Sequence, residues 1–294
     1  GMAISTIGAC TAFGAICGSG PATAATMASV VLPEMKRYNY DMELATGTVA
    51  AGGSLGMLIP PSVVFIVYAL LTEQSIGKLF IAGIVPGLMI AFLFSLIIVI
   101  NCIRRPSLGP VGPVFTLREK FRSLLGVLDT LILFIVVIGG MFAGIFTPTE
   151  AAAIGAFGSI IVAAVQGKCS VKMLKRSLLE TIRTSCMVIV IVAGATIFGH
   201  FLAVSQIPAK LAAYLASLPL PGWSIIGLII LFYLLAGCFI DALALIILTT
   251  PIFYPVILEL GYDLIWFGVI LVVVTQMGVI SPPVGVNVYV VSGI

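Results

Sequence analysis

Two short stretches hold the residues best placed for chemistry. "CGSGPATAAT", Cys17 to Thr26, gathers Ser19, Thr23 and Thr26 beside glycines that let a chain turn tightly. "GCFID", Gly237 to Asp241, places a carboxylate in strongly apolar surroundings, where an ionisable residue is a functional position by default. Each has a plain structural alternative. Thr23 and Thr26 can bond back to helical carbonyls, and Asp241 can cap the helix that follows it. A second pair of stretches offers backbone rather than side-chain chemistry. "LGMLIPPS", Leu55 to Ser62, and "MGVISPPV", Met277 to Val284, share the pattern Gly-x-x-x-Pro-Pro. The double prolines remove backbone donors and push the preceding residue out of the helical region. The carbonyls so released can coordinate a hard cation such as sodium, while exposed helix N-termini can hold an anion. The simpler alternative is a kinked helix.

The elements that must position these residues are membrane helices. Of 294 residues 61% are hydrophobic and only 9% charged, against roughly 25% charged in soluble domains, and the mean hydropathy is +1.27. Residues 3–17 and 21–35 are each too short to cross alone and read as a re-entrant hairpin. A span over 43–71, interrupted at the first Pro-Pro, and another at 79–103 follow. After a basic loop come spans at 124–146, 148–166 and 184–204. The stretch between the last two, "SVKMLKRSLLETIR", reads as an amphipathic helix on the inner membrane surface. "IPAKLAAYLASLP" reads as a short interfacial helix. A second hairpin, 222–240 and 241–258, leads to a final span from 263 broken at "ISPPVG". "TPTE", Thr147 to Glu150, is a capping box with proline at the first helical position. Both ends of the chain stop inside apolar segments, as expected of a piece of a longer protein. The organisation is thus 1–71 as a first repeat, 72–221 as connecting spans, arms and basic loops, and 222–294 as a second repeat.

A single offset relates the two ends. Adding 222 to Pro33, Tyr40, Asp41, Gly56, Pro60 and Pro61 reaches Pro255, Tyr262, Asp263, Gly278, Pro282 and Pro283. Basic residues favour the cytoplasmic side. Under the layout above, all of the 14 Lys and Arg except Lys78 and Lys210 lie inside. The first hairpin then opens to the cytoplasm and the second, beside the acidic "ELGYD", to the outside, so the repeats are inverted. Inverted repeats with discontinuous helices are a transporter architecture whose site lies near the bilayer midplane.

Other function classes find little support. A net charge of +3 is too small to suggest nucleic acid, and His200 is the only histidine, which argues against a zinc site or a haem held by two histidines. The six cysteines show no ligand spacing. No GxxxxGK[ST] motif is present, which points to coupling through an ion gradient rather than ATP hydrolysis.

"GSGPATAATMASVVLPEMKRYNYD", "AAGGSLGMLIPPS", "TEQSIGKLFIAGIVPGL", "GIFTPTEAAAIGA" and "ISPPVGVN" together resemble the large membrane subunit of tripartite ATP-independent periplasmic (TRAP) transporters, in the dicarboxylate (DctM-type) group. The resemblance covers essentially the whole chain. It implies an all-α polytopic bundle of the elevator type and a secondary transporter rather than an enzyme. It also implies sodium as coupling ion with no other cofactor, in the bacterial inner membrane. The partners it implies are a small membrane subunit and a periplasmic binding protein that delivers an organic anion such as a dicarboxylate or sugar acid. Carried over by motif, one sodium site involves Cys17, Ser19, Gly56 and Ile59, and a second involves Gly237, Gly278 and Ser281. Ser19, Thr23, Ser54, Asp241 and Asn287 form the implied substrate-binding set. Cys17 and Gly20 stand where relatives often have serine, and Ser281 where threonine is common; backbone carbonyl ligands survive such changes. Competing expectations are a sodium-coupled anion symporter working without a binding protein, a passive channel, and a membrane anchor for an enzyme.

Overall fold

A computed structural model describes residues 1–110, 126, 128–208, 210, 213–214 and 221–294. The basic segment holding Arg118, Lys120 and Arg122 lies outside these residues, as does much of the expected interfacial helix at 207–219. Twelve α-helices and no strand occur among the described residues. We number them α1 (Met2–Cys17), α2 (Gly20–Arg37), α3 (Met42–Ser54), α4 (Val63–Thr72), α5 (Ile76–Arg104) and α6 (Leu128–Phe142). Then follow α7 (Pro148–Val165), α8 (Val171–Ser205), α9 (Gly222–Gly237), α10 (Ala242–Glu259), α11 (Leu264–Val279) and α12 (Val286–Ser292). Four stretches, Ile76–Arg104, Pro148–Val165, Val171–Leu202 and Ala242–Glu259, are long and apolar enough to cross a membrane. Large apolar side chains such as Val85, Phe92, Phe157 and Val190 stand exposed on them, as a surface made for an apolar environment is.

The chain divides into two compact units. One comprises residues 113–193. Within it α6 packs against α7, and the Gln166 side-chain amide donates to Asp129 at 3.2 Å. Thr147 and Glu150 form the capping box expected from "TPTE", which fixes where α7 starts by satisfying its first orphan donors. The expected surface helix at 171–183 is not a separate element: α8 runs unbroken from Val171 to Ser205. The cause is local. No glycine or proline falls between Val171 and Ala193, so nothing ends the helix where its composition changes from basic to apolar.

The other unit comprises residues 1–112 and 194–294 and contains both hairpins and both Pro-Pro breaks. The order helix, tight turn, helix, Tyr-Asp connector, helix, break, helix occurs at each end of it. Moving α2 by 222 residues gives 242–259, the span of α10. Both helices carry a proline at the matching position, Pro33 and Pro255. Each connector works in the same way. Asp41 accepts from the amides of Glu43 and Leu44 at 3.0 Å to cap α3, and Asp263 accepts from Trp266 at 2.8 Å to cap α11. The Tyr40 hydroxyl accepts from the Met2 amide at 2.9 Å and closes the base of the first hairpin.

Helices beyond the breaks pack on the other end of the chain. α4 lies against α10 and α11, with the Tyr68 hydroxyl donating to the Leu264 carbonyl at 2.7 Å. Reciprocally, α12 lies against α2 and α3, where Val291 joins Ala24, Ala28, Val49 and Ala50. Alanines at that seam let the backbones approach closely. α5 packs on α1, α3, α4 and α11. It therefore belongs to the body that carries the hairpins, although the sequence groups it with the connecting spans.

Candidate functional site

The first break is built against the tip of the first hairpin. α1 ends in a left-handed Gly18, whose amide donates to the Gly14 carbonyl at 2.8 Å. Only glycine fits there, since φ is +67° and a methyl group would sit 2.6 Å from the Pro61 carbonyl oxygen. The Gly18 carbonyl in turn accepts from Val63, the second amide beyond the double proline, at 3.3 Å. α3 tightens into a 3-10 turn at Leu55–Met57 before the Pro60–Pro61 cis bond. Ser62 then caps α4 and also donates to the Met57 carbonyl. Gly56 lies within this turn, fully covered. A methyl on it would come 2.6 Å from the Thr23 hydroxyl and 2.9 Å from the Ser19 carbonyl oxygen. A methyl on Gly14 would come 2.7 Å from the Gly56 Cα.

The second break has the same construction. The Val284 amide, just beyond the Pro282–Pro283 cis bond, donates to the Cys238 carbonyl at the tip of the second hairpin, at 3.3 Å. A methyl on Gly278 would lie 2.6 Å from the Gly237 carbonyl carbon and 2.9 Å from its oxygen. Both breaks thus meet their hairpin tips backbone to backbone. The first is buried in protein, the setting in which non-helical chain is tolerated at membrane depth, whereas Pro282, Pro283 and Val284 of the second stand exposed.

The expected site residues fall as follows. Cys17 is the half-buried last residue of α1. Ser19 is the N-cap of α2 with no side-chain capping bond, and its carbonyl accepts from both the amide and hydroxyl of Thr23, at 3.0 and 2.7 Å. Ser54 donates back to Ala51 at 2.7 Å and Ser281 back to Met277 at 2.7 Å. The structural alternative for these hydroxyls is therefore realised, yet it does not exhaust them. A hydroxyl that donates its proton to a carbonyl still has lone pairs to offer a cation. Ile59 directs its side chain toward Gly87 on α5, leaving only its backbone for the break. Asp241 is exposed and caps α10 by accepting from Leu243 at 3.0 Å. Ser19, Thr23 and Gly56 therefore come together at the first tip, with Ile59 three residues further along the break and turned to α5, and Gly237, Gly278 and Ser281 come together at the second. Oxygen donors dominate both clusters, and hard cations prefer oxygen; the residues fit sodium by donor chemistry.

Asn287 has a structural task. It is completely buried on α12 and donates to the Ala50 carbonyl on α3 at 3.1 Å. Its side-chain oxygen, like that of buried Gln276 on α11, has no partner among the described residues. Gln276 is the residue sequence reasoning missed. It stands at the 222 offset from Ser54, and that offset is the signal that could have found it.

This arrangement defines a class: a polytopic helical membrane protein in which two broken helices are sealed against two helical hairpins. The chain belongs to the DctM component family of tripartite ATP-independent periplasmic transporters, whose family model matches residues 1–294. It is 40% identical over 295 residues to the C4-dicarboxylate TRAP transporter large permease protein DctM of Pseudomonas aeruginosa, covering all of this chain and 69% of that protein. It is 39% identical to the isethionate TRAP transporter permease protein DctMQ of Oleidesulfovibrio alaskensis, covering 46% of that longer protein. It is also 34% identical to the sialic acid TRAP transporter large permease protein SiaM of Vibrio cholerae, covering 95% of this chain and 65% of that one. The chain thus spans about two thirds of two of these relatives and under half of the third.

Proposed function

We propose that this chain forms the transporting core of a sodium-coupled importer of a small organic anion in the bacterial inner membrane. A periplasmic binding protein delivers the anion, and a small membrane subunit completes the complex. The observation that carries this reading is the paired construction of the breaks, each docked by backbone contact on its own hairpin tip. Two such sites, in repeats of opposite orientation, give sodium equivalent oxygen-rich seats on either side of a central substrate position. Relatives named for C4-dicarboxylate, isethionate and sialic acid support an anionic substrate. The helix N-terminus at Ser19, which has no side-chain cap, supplies backbone N–H groups suited to such a charge. Sodium in both seats neutralises local oxygen dipoles and orders the tips, so the anion binds best to the loaded form. Cross-packing of α4 and α12 makes the two repeats one body, as an elevator that carries its site through the membrane requires.

The test is uptake of labelled organic anion by the complete complex in proteoliposomes, with its binding protein supplied outside. Uptake is expected with an inward sodium gradient and not with potassium. Equal uptake in both salts would reject the coupling.

A further inference from the structure

A groove outside this site carries an inference of its own. A cavity of about 160 Å³ opens between α1, α3 and α5, far below the ~300–1,000 Å³ of pockets for drug-sized ligands. Its walls are apolar, formed by Ile7, Phe94 and Ile98 among others, whereas Glu43, Thr48 and Asn101 bring polar groups to it. Thr48 is 4% exposed, yet its hydroxyl has no hydrogen-bond partner among the described residues. A buried hydroxyl left unpaired keeps its desolvation cost uncompensated, so a ligand that pairs it gains by doing so. Glu43 has no ion pair among the described residues, where Arg37–Glu34 and Arg176–Glu180 are the pairs found. It lies in the first turn of α3, at the end the basic residues place on the cytoplasmic side. Arg104, the last residue of α5, follows Asn101 by three residues, a spacing that puts it on Asn101's side of that helix, and Arg105 is the C-cap that follows.

The layout is amphiphilic: an apolar slot with a buried, unpaired hydroxyl in its wall, a carboxylate and an amide beside it, and guanidinium groups beyond. We propose that it binds a phospholipid with a primary ammonium headgroup. The ammonium meets Glu43 and the unpaired Thr48 hydroxyl, the phosphate faces Arg104 and Arg105, and an alkyl segment lies against Phe94 and Ile98. A headgroup with N–H donors is specified because the Thr48 oxygen and the Glu43 carboxylate both accept hydrogen bonds, which a quaternary ammonium cannot supply. An anionic lipid would bring a second negative charge toward Glu43.

The test is native mass spectrometry of the complete, delipidated complex titrated separately with phosphatidylethanolamine, phosphatidylcholine and phosphatidylglycerol. Retention of phosphatidylethanolamine at least fivefold above the other two is expected, lost in Glu43→Gln and reduced in Thr48→Val. Equal retention of all three lipids, or undiminished selectivity in Glu43→Gln, would overturn the proposal. Thr48→Val adds an independent reading. If the hydroxyl stays unpaired in the membrane, valine raises thermal stability in phosphatidylethanolamine vesicles and contradicts the proposal; if the lipid pairs it, valine lowers that stability.

Discussion

Asp241 shows how one side chain can hold two roles that mutation separates. It caps α10 through the Leu243 amide, and losing a cap costs about 1 kcal/mol. Asparagine caps as well as aspartate but carries no charge. Asp241→Asn is therefore expected to keep the melting temperature of the complex and to lose most anion uptake, whereas Asp241→Ala loses both. Normal uptake by the asparagine variant would leave the residue with capping alone. Gly278 makes a second case. Its added methyl would meet Gly237 backbone, which cannot rotate away. Gly278→Ala is expected to cost about 1–3 kcal/mol of stability and to abolish uptake. Gly227→Ala, facing open space in the middle of α9, should change neither. The contrast is read by thermal melting and by uptake in one preparation.

At the scale of elements, caps and breaks set the boundaries. Asp41→Ala and Asp263→Ala should each cost about 1 kcal/mol, and their costs should add because the caps sit on separate helices; a thermal-melting series on the single and double variants checks this. Much of this level was legible in the sequence. Asp before an apolar run, Pro-Pro after Gly-x-x-x, and "TPTE" are local signals whose physics acts within one or two turns. The hairpin bounds followed from the same cues. Where a cue was compositional rather than steric, the reading failed. The change from basic to apolar at residue 184 suggested two helices, but no backbone breaker enforced a break, and α8 continues through it. The contact of Gly14 on Gly56 was not legible, and Gly237 was set beside Gly278 only by the family resemblance. Such contacts depend on which backbone lies opposite, and one chain's residue types do not encode that without tertiary packing.

For the whole molecule, the exchange of α4 and α12 between the repeats was likewise invisible in the sequence. Asn287, read there as a substrate ligand, is held by Ala50 on the opposite repeat. Its buried amide ties α12 to α3, and its unpaired oxygen leaves room for a second role. The proposed inverted orientation of the two ends leads to a direct prediction. Arg37 and Glu259 are exposed, are related by the 222 offset, and end α2 and α10. In intact cells Arg37→Cys should react with a membrane-impermeant thiol reagent only after permeabilisation. Glu259→Cys should react without it, each measured above the background of the parent chain. Labelling of both from one face would show that the repeats are parallel.

The claim on which the account turns is that each interrupted helix, closed over by its hairpin tip, is a seat for sodium. A cryo-EM map of the complete complex, recorded in sodium and again in potassium, tests it most directly. The account predicts density in the sodium map beside Ser19 and Gly56 and beside Gly237, Gly278 and Ser281, absent from both places in potassium. Maps identical in the two salts, with no density at either break, would contradict it.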